Sequence, residues 1–141
     1  MQRITYVARR SIISGHSAET AYTMDLILRK KDPEIEAKGP APSESMSGRV
    51  VTTLNAVITS WHCETPPLPP AQWKQMREFL DSALDGQYMT FDPEHGSGGI
   101  SVPSTERLVI LKDRKYTPRR FQTGTTQDQH YFSFSFVLRE V

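Results

Sequence analysis

Hydrophobic and polar positions alternate near the C-terminus, over residues 131–138. Phe132, Phe134, Phe136 and Leu138 share one parity, whereas Ser133, Ser135 and Arg139 lie on the other. A period of two places the four apolar side chains on one face of a β-strand. The pattern therefore predicts a half-buried strand that contributes phenylalanine side chains to the core.

Further strands are predicted where alternation is shorter or β-branched residues accumulate. The stretch 20–29 alternates through Tyr22, Met24, Leu26 and Leu28. The stretch 49–64 is apolar at both parities, and such a strand is usually central in its sheet or lies against a neighbouring subunit. Its apolar positions are Val50, Leu54 and Ile58 on one face and Val51, Val57 and Trp61 on the other. Shorter strands are predicted at 4–13, 88–91 and 107–111.

One amphipathic helix is predicted over about 70–84. A Pro-Pro pair at 69–70 suits the first turn of a helix, where a missing N–H costs nothing, and Gly86 is a typical C-terminal stop. Glu78 and Asp81 are assigned to the solvent face. The apolar positions at helical spacing are Trp73, Met76, Phe79, Leu80, Ala83 and Leu84.

The remaining segments with many Pro, Gly, Ser or charged residues, 30–47 and 92–105, are predicted to be mobile loops. A chain of 141 residues suits one domain. The order of strands, loop, long strand, helix and strands predicts a single domain over 1–141 of the α+β class, mainly β. We expect an antiparallel β-sandwich or barrel with one packed helix.

The charge and cysteine content narrow the functional classes. Seventeen Lys and Arg residues against sixteen Asp and Glu residues give a formal charge of +1. This balance argues against a main role in binding nucleic acid or an anionic membrane, which both need a concentrated basic surface. The single cysteine, Cys63, excludes an internal disulfide and multi-cysteine metal sites. We therefore expect assembly in a reducing compartment.

Few residues are candidates for chemistry. Asp92, Glu94 and His95 form the third functional hypothesis, an enzyme or cation site, but they lack the spacing of a calcium loop and are better interpreted as a solvated turn. The stretch 15–19 places a histidine beside a serine without the G-x-S-x-G pattern of a nucleophile elbow. Cys63 is followed by an acidic residue, and its neighbour His62 points to the opposite face of a strand, so Cys63 is expected to be a packed thiol. We predict no catalytic residue, no cofactor and no metal.

A basic run with a tyrosine covers 112–120. Such a run could follow a nucleic-acid strand, so a small β-barrel nucleic-acid-binding module is the alternative function. The near-zero net charge and the proline in the run favour a solvated turn or a salt-bridged contact between subunits. The predicted interface residues are Arg114, Lys115, Tyr116, Arg119 and Arg120 in this run, and Val51, Val57 and Trp61 in the strand that is apolar on both faces.

Several segments also occur in a distinctive succession. They are 8–16 with 21–25, then 47–54, 61–68, 73–82 and 86–93. The most specific part is a tryptophan at 73, Phe-Leu at 79–80, a glycine at 86 and Phe-Asp-Pro at 91–93, followed by the aromatic strand. Together these segments resemble a family of tail-tip proteins from bacteriophages and prophages, the distal-tail or minor tail proteins.

The resemblance implies a non-enzymatic structural protein of the virion. Such proteins form a ring, commonly six-fold, that joins the tail tube to the baseplate hub and fibres. The implied partners are copies of the chain itself in a homohexameric ring, the tail tube, the baseplate hub and the tape measure, with no nucleic acid and no membrane. The implied location is the virion tail, assembled in the bacterial cytoplasm. Loops 30–47 and 92–105 and the run 112–120 are then expected to contact neighbouring subunits.

Overall fold

The computed structural model describes residues 2–38, 43–44, 50–51, 56–93, 106–122, 124 and 130–141. Its elements are, in chain order, β1 (Gln2–Ala8), β2 (Thr20–Leu26), β3 (Lys30–Lys38), β4 (Ser43–Glu44), β5 (Val50–Val51), β6 (Ala56–Glu64), α1 (Pro70–Ala83), β7 (Met89–Asp92), β8 (Arg107–Gln122) and β9 (His130–Glu140).

Seven of these strands form one sheet in the order β2-β1-β7-β8-β9-β6-β3, and every neighbouring pair is antiparallel. The pair β4–β5 forms a second, two-stranded sheet. The predicted class, α+β and mainly β with one helix, is confirmed. The large sheet does not close into a barrel, because β2 and β3 remain as its two outer strands.

The sheet curls strongly around its core. Trp61 on β6 and Phe91 on β7 are separated by two intervening strands, β8 and β9. In a flat sheet their backbones would lie about 14 Å apart, yet the two ring centroids are 5.3 Å apart. The core therefore lies on the concave face, and both rings are buried there.

Helix α1 packs across this concave face. The ring of Phe79 lies 5.4 Å from Tyr6 on β1 and 5.9 Å from Phe136 on β9, and all three side chains are buried. The helix begins at Pro70 and ends at Ala83, which confirms the prediction over about 70–84. Gly86 follows with a φ of 82°, and its N–H donates to the carbonyl of Ala83 at 3.0 Å, as expected of a glycine after a helix end.

The predicted core face of β9 is also confirmed. Phe134, Phe136 and Leu138 are buried, and Phe132 is partly buried against them. The first strand is shorter than its predicted range of 4–13, because β1 ends at Ala8. Positive φ values at Ser11 and Glu19 then turn the chain before β2.

The prediction of a loop over 30–47 is wrong for its first half. Lys30–Lys38 forms β3, an outer strand paired with β6 along its whole length. An outer strand has one free edge and exposed side chains, so it tolerates a proline and many charges. This composition is also typical of a loop. In the second half, Ser43–Glu44 forms β4, whereas 39–42 and 45–47 lie outside the described residues.

The prediction of a turn over 112–120 is wrong as well. β8 continues through this run to Gln122, with a bulge between Leu111 and Tyr116. Asp113 and Arg114 adopt φ values of 59° and 51° there, so β8 accommodates extra residues without ending. Of the other predicted loop, 92–105, Asp92 ends β7, whereas 94–105 lie outside the described residues.

Candidate functional site

Cys63 is a packed thiol, as predicted. Its side chain is buried on β6, and burial raises the pKa of the thiol to about 12. At neutral pH it is therefore protonated and unreactive. The adjacent His62 lies on the opposite face of the strand, where its Nε2 is 2.5 Å from the Glu34 carboxylate on β3. The two neighbours cannot share a metal ion.

The acidic cluster with His95 cannot be placed. Asp92 lies at the end of β7, but Glu94 and His95 lie outside the described residues. Within the described part of the chain, no three His, Cys, Asp or Glu side chains stand close enough to hold a metal ion.

The most concentrated polar cluster joins α1 to the segment 9–19. Glu78 is completely buried on the helix. Its Oε1 accepts hydrogen bonds from the Tyr6 hydroxyl at 2.5 Å and from His16 Nδ1 at 2.6 Å, and its Oε2 accepts one from the Ile13 N–H at 2.9 Å. The assignment of Glu78 to the solvent face is therefore wrong. Its partners are more than sixty residues away along the chain, so a local sequence pattern does not predict them.

Other groups hold the same segment in place. The His16 ring stacks on Tyr22 with centroids 3.8 Å apart, and the Tyr22 hydroxyl oxygen accepts from the Ser17 N–H at 2.7 Å. The Ser82 hydroxyl oxygen accepts from the backbone N–H groups of Arg9 and Arg10. The histidine that the sequence places beside a serine is therefore a structural group, engaged by Glu78 and Tyr22.

The pKa of Glu78 predicts how stability depends on pH. Burial alone would raise the pKa of this carboxyl, but hydrogen bonds from Ile13, Tyr6 and His16 outweigh burial and lower it. The unfolded chain therefore takes up this proton at higher pH than the folded protein does. The stability that Glu78 contributes is complete above about pH 4.3 and is lost as the pH falls through the lowered native value.

We therefore expect the difference in free energy of unfolding between the wild type and Glu78→Gln to shrink as the pH falls from about 5 to about 3. Urea unfolding at a series of pH values measures this difference, and the variant serves as the control because it keeps every other carboxylate. A difference that stays constant over this range would contradict the role of Glu78.

Two of the predicted interface residues hold the helix against β8. Arg114 Nε donates to the Leu84 carbonyl at the C-terminal end of α1 at 2.8 Å. The last turn of α1 contains no basic residue, so Arg114 supplies the positive charge that stabilises this end of the helix. The Tyr116 hydroxyl donates to Asp81, and burial followed by this hydrogen bond raises the pKa of Tyr116 to about 12.

Replacing Arg114 with alanine is expected to lower the free energy of unfolding by about 0.5–1 kcal/mol, because a helix C-terminus loses its capping cation at an exposed site. Arg119→Ala is the matched control, since Arg119 lies on the same strand and, among the described residues, is placed over the Phe121 ring and not at a helix end. We expect a change within about 0.5 kcal/mol for the control. Equal effects of the two substitutions in urea unfolding would contradict the capping role.

The other predicted interface residues are divided between core and surface. Trp61 is only 8% exposed and packs on Phe91, so it belongs to the core and is not available to a partner. Val57 is 56% exposed on β6. Val51 lies in β5 opposite Ser43. On β8, Lys115, Arg119 and Arg120 are exposed. The structure therefore leaves these three cations and Val57 as exposed candidate contact residues, and an interface role for Val51 stays a prediction.

In the described part of the chain, β3 and β8 have open strand edges, in addition to the outer strand β2. β3 pairs only with β6, and its outer edge carries the exposed acidic residues Asp32, Glu34 and Glu36. β8 pairs with β7 only over its first three residues, Arg107–Val109. Beyond that point it has a described neighbour on one side only, β9. The exposed cations lie on this second part of β8. β3 also contains Lys30, Lys31 and Lys38, which balance its three acidic residues, so an excess of one charge is found only on the second part of β8.

Comparisons of the chain with protein-family models, with curated proteins and with solved structures find no match. Among the described residues, no helix has the length and apolarity needed to cross a membrane.

Proposed function

We propose that this chain is a structural component of a phage tail tip, a ring subunit that links the tail tube to the baseplate hub. It acts through protein–protein contacts, with copies of itself, the tail tube, the hub and the tape measure as partners, in the virion tail. The resemblance of several sequence segments to distal-tail proteins supports this proposal. The exposed strand edges support it independently, because they suit a subunit of an assembly.

The observation that carries the proposal is the open sheet, in which the outer strands β2 and β3 each have a described neighbour on one side only. Unpaired N–H and C=O groups along an outer strand attract other chains, and a monomer has to protect them. Two apolar side chains near the β3 edge are also exposed to solvent: Ile35 is 71% exposed and Val57 is 56% exposed. In a closed ring, each subunit covers such a surface of the next.

A small nucleic-acid-binding module is the second candidate. The feature that favours it is the exposed basic part of β8, where the Arg119 guanidinium lies 5.1 Å from the centre of the Phe121 ring. Cations beside aromatic rings are typical of single-strand binding. Phosphate contacts would make oligonucleotide binding fall steeply with added salt, whereas a ring subunit is expected to bind oligonucleotides little.

Virus particles provide the direct test. We expect mass spectrometry of purified particles from the phage or prophage that encodes the chain to detect it. Deleting its gene is expected to give particles with incomplete tails in electron micrographs. Expression of the wild-type chain from a plasmid, with the empty plasmid as control, should restore complete tails. Absence of the chain from purified particles, or normal tails after deletion, would contradict the proposed function.

A further inference from the structure

A cavity lined mainly by aromatic side chains lies between α1 and the second part of β8 with its partner strand β9. It encloses about 180 Å³. An apolar protein cavity of roughly 150 Å³ holds one benzene molecule, so this cavity has room for one six-membered ring. The lining residues are Trp73 and Arg77 from the helix, Tyr116 and Pro118 from β8, and Phe132 and Phe134 from β9.

The cavity extends from the surface to the core. Arg77 and Pro118 are exposed, whereas Phe134 is buried. The Phe132 ring centroid lies 4.8 Å from that of Trp73 and 6.3 Å from that of Phe134. Aromatic rings attract each other at such separations in offset or edge-on arrangements. A planar ring that enters the cavity therefore meets aromatic surface from both the helix and the sheet.

The helix wall of the cavity carries a positive charge that is only weakly paired. The Arg77 side chain is 54% exposed, and its Nε is 3.5 Å from Asp81 Oδ2. An ion pair in such an exposed position contributes little free energy. Asp81 also accepts hydrogen bonds from the hydroxyls of Tyr116 and Ser11. Because a guanidinium has five N–H donors, Arg77 retains donors for a second carboxylate.

Trp73 adds a polar group that has no partner. Its indole N–H is buried and lacks an acceptor in the described part of the chain. Such a donor costs free energy and is uncommon in folded proteins. Trp73 precedes Arg77 by four residues, so the two side chains lie one turn apart on the same face of α1. Lys74 Nζ lies 5.9 Å from the centre of the Trp73 ring, so a second cation stands close to this wall.

We propose that this cavity binds a small aromatic acid, a molecule with one planar ring and a carboxylate. The ring packs against Trp73, Phe132 and Phe134, and the carboxylate pairs with Arg77 at the exposed end. Ligand sites are typically concave and mostly apolar, with a few polar groups that fix the orientation of the ligand, and this cavity has that composition. The inference goes beyond the proposed tail function, because it depends neither on ring assembly nor on the open strand edges.

Titration of the full chain with benzoate, at constant pH and ionic strength, tests the site. The chain has two tryptophans, so its nitrogen–proton correlation spectrum contains two indole N–H signals, and Trp73→Phe identifies the one from Trp73. We expect benzoate to shift the Trp73 signal saturably, with a dissociation constant of about 10 mM or below, as is usual for so small a ligand. Trp61 packs on Phe91 and does not line the cavity. Its signal is the internal control and should stay in place.

Matched probes and variants separate the ring from the charge. Acetate lacks the ring and is expected to bind at least about tenfold more weakly than benzoate. Benzyl alcohol lacks the charge, and we expect about threefold weaker binding or less, because an ion pair with an exposed arginine is modest. Arg77→Gln should weaken benzoate binding by the same factor and leave benzyl alcohol unaffected. The matched control is Arg107→Gln, an exposed arginine outside the cavity, which should bind benzoate like the wild type. Circular dichroism checks that each variant is folded.

Three results would overturn the proposal. A Trp73 signal that does not shift saturably with benzoate, or a Trp61 signal that shifts equally, would mean that the cavity is not the binding site. Equal binding of benzoate and benzyl alcohol, or equal benzoate affinity of the Arg77 and Arg107 variants, would mean that the ligand is not an acid held by Arg77. The virus-particle experiment uses no ligand, so failure of this proposal and failure of the tail function are observed separately.

Discussion

Replacing Glu78 with alanine is expected to lower the free energy of unfolding by about 3–5 kcal/mol. The carboxylate is completely buried and accepts hydrogen bonds from Tyr6, His16 and the Ile13 N–H. Its removal leaves a buried hydroxyl and a backbone N–H without an acceptor, and the desolvation cost of such groups is not recovered. The effect is measurable by urea denaturation, with near-ultraviolet circular dichroism to follow the tyrosines.

Two further substitutions distinguish the network from a general effect of altering the helix. Glu78→Gln keeps the shape but supplies one acceptor oxygen in place of two, so we expect a smaller loss of about 1–3 kcal/mol. Gln72→Ala changes an exposed position of α1 and is expected to stay within about 0.5 kcal/mol of the wild type. If Glu78→Ala behaved like Gln72→Ala, the network would not be a source of stability.

The helix and the last strand are the elements that the sequence predicts best. Both carry their signal locally. In α1, a proline start, an apolar stripe and Gly86 together define the ends. In β9, alternate phenylalanines define the buried face. Such patterns need only the neighbouring residues to be interpreted, because burial on one face imposes the period directly.

In sequence, the outer strand β3 and the second half of β8 resemble a loop and a turn for the same physical reason. β3 exposes most of its side chains, and the second half of β8 has a described neighbour on one side only. Neither segment therefore has to alternate in hydrophobicity. Their strand character comes from pairing with β6 and β9, which the pattern within each segment does not show.

The candidate contact residues show a second limit of sequence patterns. Tryptophan, tyrosine and arginine are enriched in interfaces, but the two aromatic residues also pack inside folds, and arginine also binds groups within its own chain. Trp61 is in the core, whereas Arg114 and Tyr116 bind the helix. Lys115, Arg119 and Arg120 have the same charge as Arg114 but stay on the surface. Only the position of α1 relative to β8 separates these two groups, and that position depends on the whole fold.

Replacing Phe79 with alanine is the second substitution with a large expected effect. Its ring is completely buried between Tyr6 on β1 and Phe136 on β9, so it joins the helix to strands from both halves of the curled sheet. Truncation removes the buried ring and leaves a cavity that the two neighbouring rings can fill only in part. We expect the free energy of unfolding to fall by about 3–5 kcal/mol in urea denaturation.

Phe121→Ala is the matched control, because it removes the same ring from a partly exposed position on β8 where Arg119 is its one ring contact among the described residues. A loss of about 1 kcal/mol or less is expected there. The loss of unfolding free energy for Phe79→Leu should lie between these two values, since leucine refills part of the space.

Equal losses for Phe79→Ala and Phe121→Ala would mean that the helix does not anchor the concave face, and the core described above would be wrong. A large loss for Phe79→Ala alone would show that the contacts of this ring with Tyr6 and Phe136 stabilise the packing of α1 on the concave face.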